Sequence, residues 1–164
     1  MSTLCFPKLA AAAGLIALVA GWQVAAAPRG IEPFAAGTWG ALQSSLKKPA
    51  LVVFSSTSCG NCPAVMEQLS AELRRRHVDG TLMAVVTDMA PGEDDAHLLR
   101  QAHYRVAERL FAFDGQAPAL RHAVNPAWRG ATPYVGLLVP GQPVRWVTGA
   151  PSAADLDAWA AARR

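Results

Sequence analysis

Apolar residues along the chain fall into runs and stripes that predict alternating strands and helices. Two nearly continuous apolar runs, residues 50–55 and 81–87, have the length and β-branched content of strands buried on both faces. Between them, residues 62–77 place apolar side chains on one helical face, and Asp79-Gly80 ends that helix. A strand, a helix and a strand of this length predict a parallel pair joined by a right-handed crossover.

The second half of the chain is predicted to add helices and a strand hairpin. Three acidic residues, 93–95, suit a helix N-terminus, and apolar residues then recur at helical spacing over residues 96–113. Pro140-Gly141 is a turn sequence between two apolar segments, which indicates an antiparallel hairpin. The other predicted elements are a helix at 119–124, the hairpin strands at 134–139 and 142–148, and a last helix that runs from a capping pair, Ser152 and Asp155, to residue 164.

The first 26 residues have the pattern of an export signal. Lys8 precedes an uninterrupted apolar segment, residues 9–20, and Val24-Ala25-Ala26 supplies the small residues of a cleavage site. The apolar stretch is also near the length that spans a bilayer, so an uncleaved N-terminal membrane anchor is the alternative. Both interpretations place the rest of the chain in the periplasm or another extracytoplasmic space, either soluble or tethered.

Turn-forming residues suggest where the folded domain begins. Proline and glycine punctuate residues 27–37, which we interpret as a linker. A single domain is predicted over residues 38–164, because a chain of 164 residues with 52% hydrophobic and 16% charged side chains can form one core. Within this domain, residues 91–126 are predicted to be a helical insertion.

The charge pattern argues against a nucleic-acid partner. The net charge is +3, and the densest basic run is Arg74-Arg75-Arg76, at the predicted end of a helix. Cations there interact favourably with the helix dipole, and the neighbouring sequence has no aromatic side chain to stack on bases. We therefore expect no binding to nucleic acid.

The residues with candidate chemistry follow the first buried strand. Cys59 and Cys62 are separated by Gly60 and Asn61 and lie between that strand and the predicted helix. A strand, a turn, a Cys-x-x-Cys sequence and a helix are the layout of a thiol–disulfide redox site. A helix N-terminus favours an anion, so the pKa of Cys59 should fall from about 8.5 to between about 3.5 and 7.5. Cys59 is then the attacking thiolate, Cys62 resolves the mixed disulfide, and the pair needs no cofactor.

Two other roles for the cysteine pair start from the same residues. A copper-binding chaperone would combine both cysteines with a histidine, and a binding module would keep them as an inert structural disulfide.

A zinc site needs a second cysteine pair or a histidine pair, and the sequence has neither at a suitable spacing. The four histidines are predicted to be solvated or capping; they are His77, His97, His103 and His122. We therefore expect no metal site.

With these motifs in place, the chain resembles the thioredoxin superfamily. The resemblance rests on the Cys-Gly-Asn-Cys sequence at residues 59–62 after a buried strand, on Thr132-Pro133 before a hairpin, and on the terminal helix. It covers roughly residues 39–164. It implies an α/β, thioredoxin-like three-layer fold, whose central mixed sheet has a parallel β-α-β half and a C-terminal β-hairpin plus helix.

The same resemblance implies a substrate-binding role for Thr132 and Pro133. Pro133 would follow a cis peptide bond and face the cysteines, and X-Pro is the bond at which the cis form costs least. Thr132 would offer its backbone groups to an extended peptide that carries the substrate cysteine.

Departures from cytosolic thioredoxins indicate a subgroup. Ser58 stands where those proteins usually carry a tryptophan, and Val53 stands where they bury an acid six residues before the first cysteine. The additional residues 91–126 and the export leader look more like the TlpA/ResA/CcmG group of exported thiol–disulfide oxidoreductases. Residues 128–134, Trp-Arg-Gly-Ala-Thr-Pro-Tyr, are also similar to the corresponding segment of TlpA-like chains.

Likeness to this group implies an exported reductase of protein disulfides, in cytochrome c or copper-site maturation. Its partners would be protein thiol or disulfide substrates and a membrane electron donor or acceptor of the disulfide-relay type. The enzymatic alternative is a disulfide-forming oxidase of the DsbA kind. Chains of that kind insert a larger all-helical domain, and residues 91–126 are too few for it.

Overall fold

A six-stranded mixed sheet forms the centre of the protein. The computed structural model describes residues 27–162, so the predictions for residues 1–26 lie outside the described range. The strands are β1 Ile31–Phe34, β2 Ala50–Ser55, β3 Thr81–Val86, β4 Arg109–Phe113, β5 Tyr134–Leu138 and β6 Arg145–Thr148. They lie in the order β1-β4-β3-β2-β5-β6. The pairs β1–β4, β4–β3 and β3–β2 are parallel. The pairs β2–β5 and β5–β6 are antiparallel.

Helices cover both faces of the sheet, which confirms the predicted three-layer α/β arrangement. The helices of the described range are α1 Thr38–Ser45, α2 Cys62–Arg75, α3 Asp95–Arg100, α4 Ala117–Val124 and α5 Ala153–Ala161. Along β2, Leu51 and Val53 pack into the core formed with α2 and α5, while Val52 and Phe54 pack into the core formed with α1 and α4. Every residue of β2 and β3 is buried, as their continuous apolar sequences predict.

The C-terminal hairpin and helix are also confirmed, with α5 ending at Ala161; residues 163–164, which the predicted helix included, lie outside the described range. β5 and β6 pair antiparallel, and Ser152 and Asp155 form a reciprocal capping box at the start of α5. Leu156 and Trp159 are buried, and the Trp159 indole N–H donates to the Leu138 carbonyl at 2.8 Å. This hydrogen bond attaches the last helix to the last residue of β5.

The helix predicted over residues 96–113 is wrong beyond its first turns. α3 ends at Arg100, turns follow, and Arg109–Phe113 forms β4 between β1 and β3. Leu110 and Ala112 enter one core while Phe111 and Phe113 enter the other, which is the two-residue period of a strand. Helical spacing of apolar residues in this segment was therefore coincidental, because burial on both faces of the sheet decides its conformation. The insertion predicted at 91–126 is consequently not all helical.

The linker predicted at residues 27–37 is also wrong in part, because Ile31–Phe34 forms the edge strand β1. It pairs in parallel with β4, with Pro33 opposite Ala112. An edge strand tolerates proline because one side of it has no sheet partner to receive an N–H. Glu32 and Arg109 form an ion pair across β1 and β4 at 2.5 Å, so the folded domain begins before residue 38.

Within residues 27–162, no helix is both long enough and apolar enough to cross a membrane.

Candidate functional site

The two cysteines lie at the start of α2 and are joined by a disulfide bond. β2 ends at Ser55, a turn follows, and α2 begins at Cys62 with Asn61 as its N-cap. Pro63 lies in the first turn of α2, where the missing backbone N–H costs no helical hydrogen bond. The Cys62 N–H donates to the Cys59 carbonyl at 3.2 Å, and the two Cα atoms are 5.4 Å apart, within the span of a disulfide.

The two cysteines differ in exposure. Cys62 is 1% exposed, whereas Cys59 is half-buried and is followed by the exposed residues Gly60 and Asn61. Cys59 is therefore the cysteine that a protein-sized partner can reach. Cys62 is shielded from direct contact with such a partner.

The N-terminal end of α2 favours negative charge in the turn that carries Cys59. The first turn of the helix, residues 62–65, consists of uncharged residues, and in the described part of the chain the Asn61 side chain makes no capping hydrogen bond. The backbone amides and the dipole at this end can therefore stabilise an anion. Cysteine thiolates are among the anions that a helix N-terminus stabilises.

The loop before β5 comes to the same end of the sheet as the cysteines. The Thr132–Pro133 peptide bond is cis, and Pro133 is buried directly before β5, the antiparallel neighbour of β2. The hydroxyl oxygens of Thr132 and Ser56 lie 3.3 Å apart and form a hydrogen bond between this loop and the turn before the cysteines. Binding of a substrate peptide by Thr132 and Pro133 stays a prediction.

Aromatic side chains hold the segment that leads to Pro133. The Trp128 ring stacks on Tyr134 with centroids 4.8 Å apart, and its indole N–H donates to the Ala131 carbonyl at 2.9 Å. Asn125 donates from Nδ2 to the Tyr134 hydroxyl at 2.6 Å. Burial raises the pKa of Tyr134, an effect that the Asn125 hydrogen bond partly opposes. The segment 128–134 singled out in the sequence is thus a packed unit rather than a free loop.

A buried hydrogen bond joins the end of β2 to the segment after α3. The hydroxyls of Ser55 and Tyr104 lie 2.8 Å apart, and these residues are 0% and 2% exposed. Burial raises the pKa of Tyr104, and the hydrogen bond with Ser55 partly offsets that effect. Val53, at the position of the buried acid of cytosolic thioredoxins, is fully buried and apolar. The Ser55–Tyr104 pair is therefore the polar group that this strand end buries.

Sequence reasoning missed Tyr104 because it lay within the wrongly predicted helix. It also missed Asp88, an exposed residue just after β3 whose carboxylate accepts hydrogen bonds from Thr57. The sequence does contain one signal that a residue such as Tyr104 is needed. Ser55 ends an otherwise apolar buried strand, and a buried hydroxyl requires a hydrogen-bond partner from elsewhere in the fold.

Replacing Tyr104 by phenylalanine is expected to lower the free energy of unfolding by about 1–3 kcal/mol, because the buried Ser55 hydroxyl loses this partner. Urea unfolding followed by tryptophan fluorescence measures the change. Removing both hydroxyls, with Ser55→Ala and Tyr104→Phe together, should cost less than the sum of the two single changes. Additive costs would show that the two hydroxyls are not coupled.

The described residues do not assemble a set of metal ligands. Across residues 27–162, no three His, Cys, Asp or Glu side chains come together as a site that could hold an ion. His103 is half-buried and packs on Tyr104 with ring centroids 4.1 Å apart, so it is less solvated than the sequence predicts. Burial lowers the pKa of His103, and the charge of Glu67 opposes that shift.

Comparison with known proteins gives structural likenesses only. No protein-family model matches the chain, and no curated protein matches it. A thiol:disulfide interchange protein of the thioredoxin family from Chlorobium tepidum TLS is 16% identical, with a TM-score of 0.52, over 76% of this chain and 83% of that chain. An uncharacterized thioredoxin-like protein from Porphyromonas gingivalis is 18% identical, with a TM-score of 0.51, over 71% of this chain and 75% of that chain.

A third solved structure, a thioredoxin-like protein in its oxidized form, is 19% identical with a TM-score of 0.51, over 73% of this chain and 82% of that chain. At these identities the likeness concerns the fold. Together with the mixed sheet and the Cys59–Cys62 disulfide at the start of α2, it establishes that the chain has the thioredoxin-like α/β fold.

Proposed function

We propose that the chain is an exported thiol–disulfide oxidoreductase that reduces disulfide bonds of other proteins. The observation that carries the proposal is the Cys59–Cys62 disulfide at the start of α2, with Cys62 buried and Cys59 half-buried. A disulfide that closes so short a loop stabilises the folded state less than one that closes a long loop. A purely structural role therefore explains the pair less well than a redox role does.

Reduction proceeds by two thiolate attacks. The Cys59 thiolate attacks one sulfur of the substrate disulfide; a Cys59–substrate S–S bond forms, the substrate S–S bond breaks, and the departing thiolate takes up a proton. Cys62 then loses its proton and attacks the Cys59 sulfur. The second substrate thiolate leaves and is protonated, and the Cys59–Cys62 disulfide closes. Two electrons pass from the dithiol to the substrate.

The surroundings of the cysteines support these roles. The N-terminus of α2 stabilises the thiolate of Cys59 before attack. Gly60 and Asn61 add no charge between the cysteines, so the potential is set by other groups. The hydrogen bond between Thr132 and Ser56 and the cis peptide bond before Pro133 support the proposal that these two residues bind an extended substrate peptide.

The likeness to the TlpA/ResA/CcmG group supports reduction as the direction of electron flow, and the predicted leader supports a location outside the cytoplasm. A dithiol outside the cytoplasm becomes oxidised unless electrons are supplied, so a reductase there requires a membrane donor of the disulfide-relay type. Residues 1–26 serve in this proposal as the export signal or anchor. The substrates are disulfides formed by the haem-site cysteines of apocytochrome c or by the thiols of copper-site proteins.

Replacing Cys62 by serine is expected to trap substrates as mixed disulfides with Cys59, because no second thiol remains to resolve them. The full-length variant is incubated with a periplasmic extract, and adducts are separated on non-reducing gels and identified after release with dithiothreitol. The control is the variant with both Cys59→Ser and Cys62→Ser, which should trap nothing; both chains also carry Cys5→Ser, so that no other thiol is present. Absence of adducts, together with thiols that alkylate at pH 5 as slowly as free cysteine, would overturn the proposal.

Two measurements on the wild-type chain separate the alternatives. Equilibration with glutathione gives the potential, which is expected near the reducing end, about −270 mV, for a reductase and near about −120 mV for an oxidase. Titration of the reduced chain with Cu(I) tests the copper chaperone. Tight binding of copper without mixed disulfides in the trapping experiment would favour that alternative.

A further inference from the structure

Three consecutive hydroxyl residues lead from β2 into the turn before the cysteines, and each is tethered to a different part of the fold. The pairs are Ser55 with Tyr104, Ser56 with Thr132, and Thr57 with Asp88. Two of the tethers join neutral hydroxyls. The third ends on a carboxylate, so it brings a negative charge to the turn.

Asp88 holds Thr57 with both of its carboxylate oxygens. The Thr57 backbone N–H donates to Oδ1 and Oδ2, at 2.9 Å to each, and the Thr57 hydroxyl donates to Oδ2 at 2.7 Å. Hydrogen bonds to an ionised acceptor are roughly twice as strong as those between neutral groups. The Asp88 carboxylate therefore fixes both the backbone and the side chain of Thr57.

The sheet sets the position of Asp88 relative to this turn. Asp88 follows β3 by two residues, and the ends of β3 and β2 are aligned, with Val86 opposite Ser55. Beyond that pair, the N–H and the hydroxyl of Thr87 both donate to the Ser55 carbonyl, each at 2.9 Å. The carboxylate is thus carried on the rigid β2–β3 pair rather than on a free loop.

This placement brings the carboxylate near the reactive cysteine. Thr57 is two residues from Cys59, so their Cα atoms are within about 7 Å of each other, and the Asp88 oxygens bonded to Thr57 lie within roughly 10 Å of the Cys59 backbone. A negative charge at that distance disfavours a second one on the cysteine sulfur. The same charge contributes to the raised pKa of Tyr104, whose main cause is burial.

We propose that Asp88 is a positioning residue of the redox site, which holds the turn before Cys59 and makes the cysteine pair more reducing. The inference rests on the proposed thiol–disulfide exchange. The N-terminus of α2 favours the thiolate of reduced Cys59, and the Asp88 carboxylate opposes it. A less stable thiolate means a less stable dithiol state and therefore a lower reduction potential.

Other ionisable groups lie on the elements around this end of the sheet. Glu67 belongs to α2 and interacts with His103, which follows α3, while Tyr104 is hydrogen-bonded to Ser55. These groups are left unchanged in the test. A shift in the reduction potential caused by the loss of the Asp88 charge is therefore measured while the other charges stay the same.

The test compares Asp88→Asn with Asp79→Asn in the full chain. Both aspartates are exposed, and they lie beyond opposite ends of β3, which is about 20 Å long. Asp88→Asn should increase the alkylation rate of reduced Cys59 below its pKa about two- to fivefold, the effect of a unit charge at this distance in a medium of high dielectric constant. The equilibrium with glutathione should change by the same factor, which corresponds to a potential about 10–20 mV higher.

Asp79→Asn should leave both quantities unchanged, because Asp79 pairs with Lys48 at the far end of the strand. Asp88→Glu keeps the charge and should keep the potential close to that of the wild type, even if the turn is altered. The effect of Asp88→Asn should also shrink in 1 M salt, which screens exposed charges.

An unchanged potential and alkylation profile in Asp88→Asn would overturn the inference, as would an equal shift in Asp79→Asn. Either result leaves the proposed function standing as long as the wild-type chain exchanges disulfides. Loss of the proposed function is recognised differently, by a wild-type chain that neither exchanges disulfides nor has an acidic Cys59 thiol.

Discussion

Cys59→Ser is expected to abolish dithiol–disulfide exchange, with a rate at least about 10³-fold below that of the wild type, the scale on which enzymes lose activity with their nucleophile. A serine hydroxyl is not ionised at neutral pH and does not form disulfides, so neither the first attack nor the closing step can occur. The buried Cys62 remains, but at 1% exposure it cannot meet a protein disulfide. Reduction of insulin disulfides by the full chain, with dithiothreitol as electron donor, measures the rate.

The matched control for this experiment is Cys5→Ser. It removes a cysteine with the same chemical change, but from the predicted leader rather than from the redox site. Its exchange rate should equal that of the wild type. If Cys59→Ser retained a rate within tenfold of the wild type, Cys59 would not be the attacking residue and the mechanism would be wrong.

Phe54→Ala is expected to lower the free energy of unfolding by about 3–5 kcal/mol, because it opens a cavity at the centre of the aromatic core. Phe54 is 0% exposed and is the last-but-one residue of β2. Its ring centroid lies 5.0–6.4 Å from those of Phe34, Trp39, Trp128, Tyr134 and Trp146. For a domain of this size the midpoint of thermal unfolding should fall by about 10–20 °C.

Phe54→Leu serves as the comparison, because it replaces the ring by a smaller apolar side chain and should cost less than Phe54→Ala, since the cavity it leaves is smaller. Circular dichroism during heating and urea unfolding measure both variants. Equal stabilities of Phe54→Ala and wild type would show that the aromatic cluster relaxes into the cavity. Since Phe54 contacts Trp128, the alanine variant should also speed hydrogen exchange in the segment before Pro133.

The parts of the fold that were predicted correctly are those with strong local patterns. β2, α2 and β3 follow each other with short connections, and each has a continuous apolar run or a single apolar face. The Cys59–Cys62 pair belongs to the same short stretch of chain. The neighbouring residues were therefore sufficient to predict that the pair lies at the start of a helix.

β1 and β4 were missed because the sequence of each also fits another interpretation. β1 is four residues long and contains Pro33, which in sequence looks like a linker residue. β4 begins at Arg109 and has apolar residues that also fit the stripe of a preceding helix. Each becomes a strand because the other is beside it, and β4 gains a second partner in β3. Pairing between segments far apart in the chain has no signature in either segment alone.

The surroundings of the cysteines divide in the same way. Local sequence was enough to specify the cysteine pair, the helix that begins with Cys62 and the uncharged residues between the cysteines. Long-range packing specified the three hydrogen-bonded pairs of the turn, Ser55–Tyr104, Ser56–Thr132 and Thr57–Asp88. Their partners are separated along the chain by 49, 76 and 31 positions, respectively. The physical reason is that a hydrogen bond between distant side chains depends on how strands and loops are placed against one another. The sequence shows that a hydroxyl can donate or accept a hydrogen bond, but only the tertiary structure determines its partner.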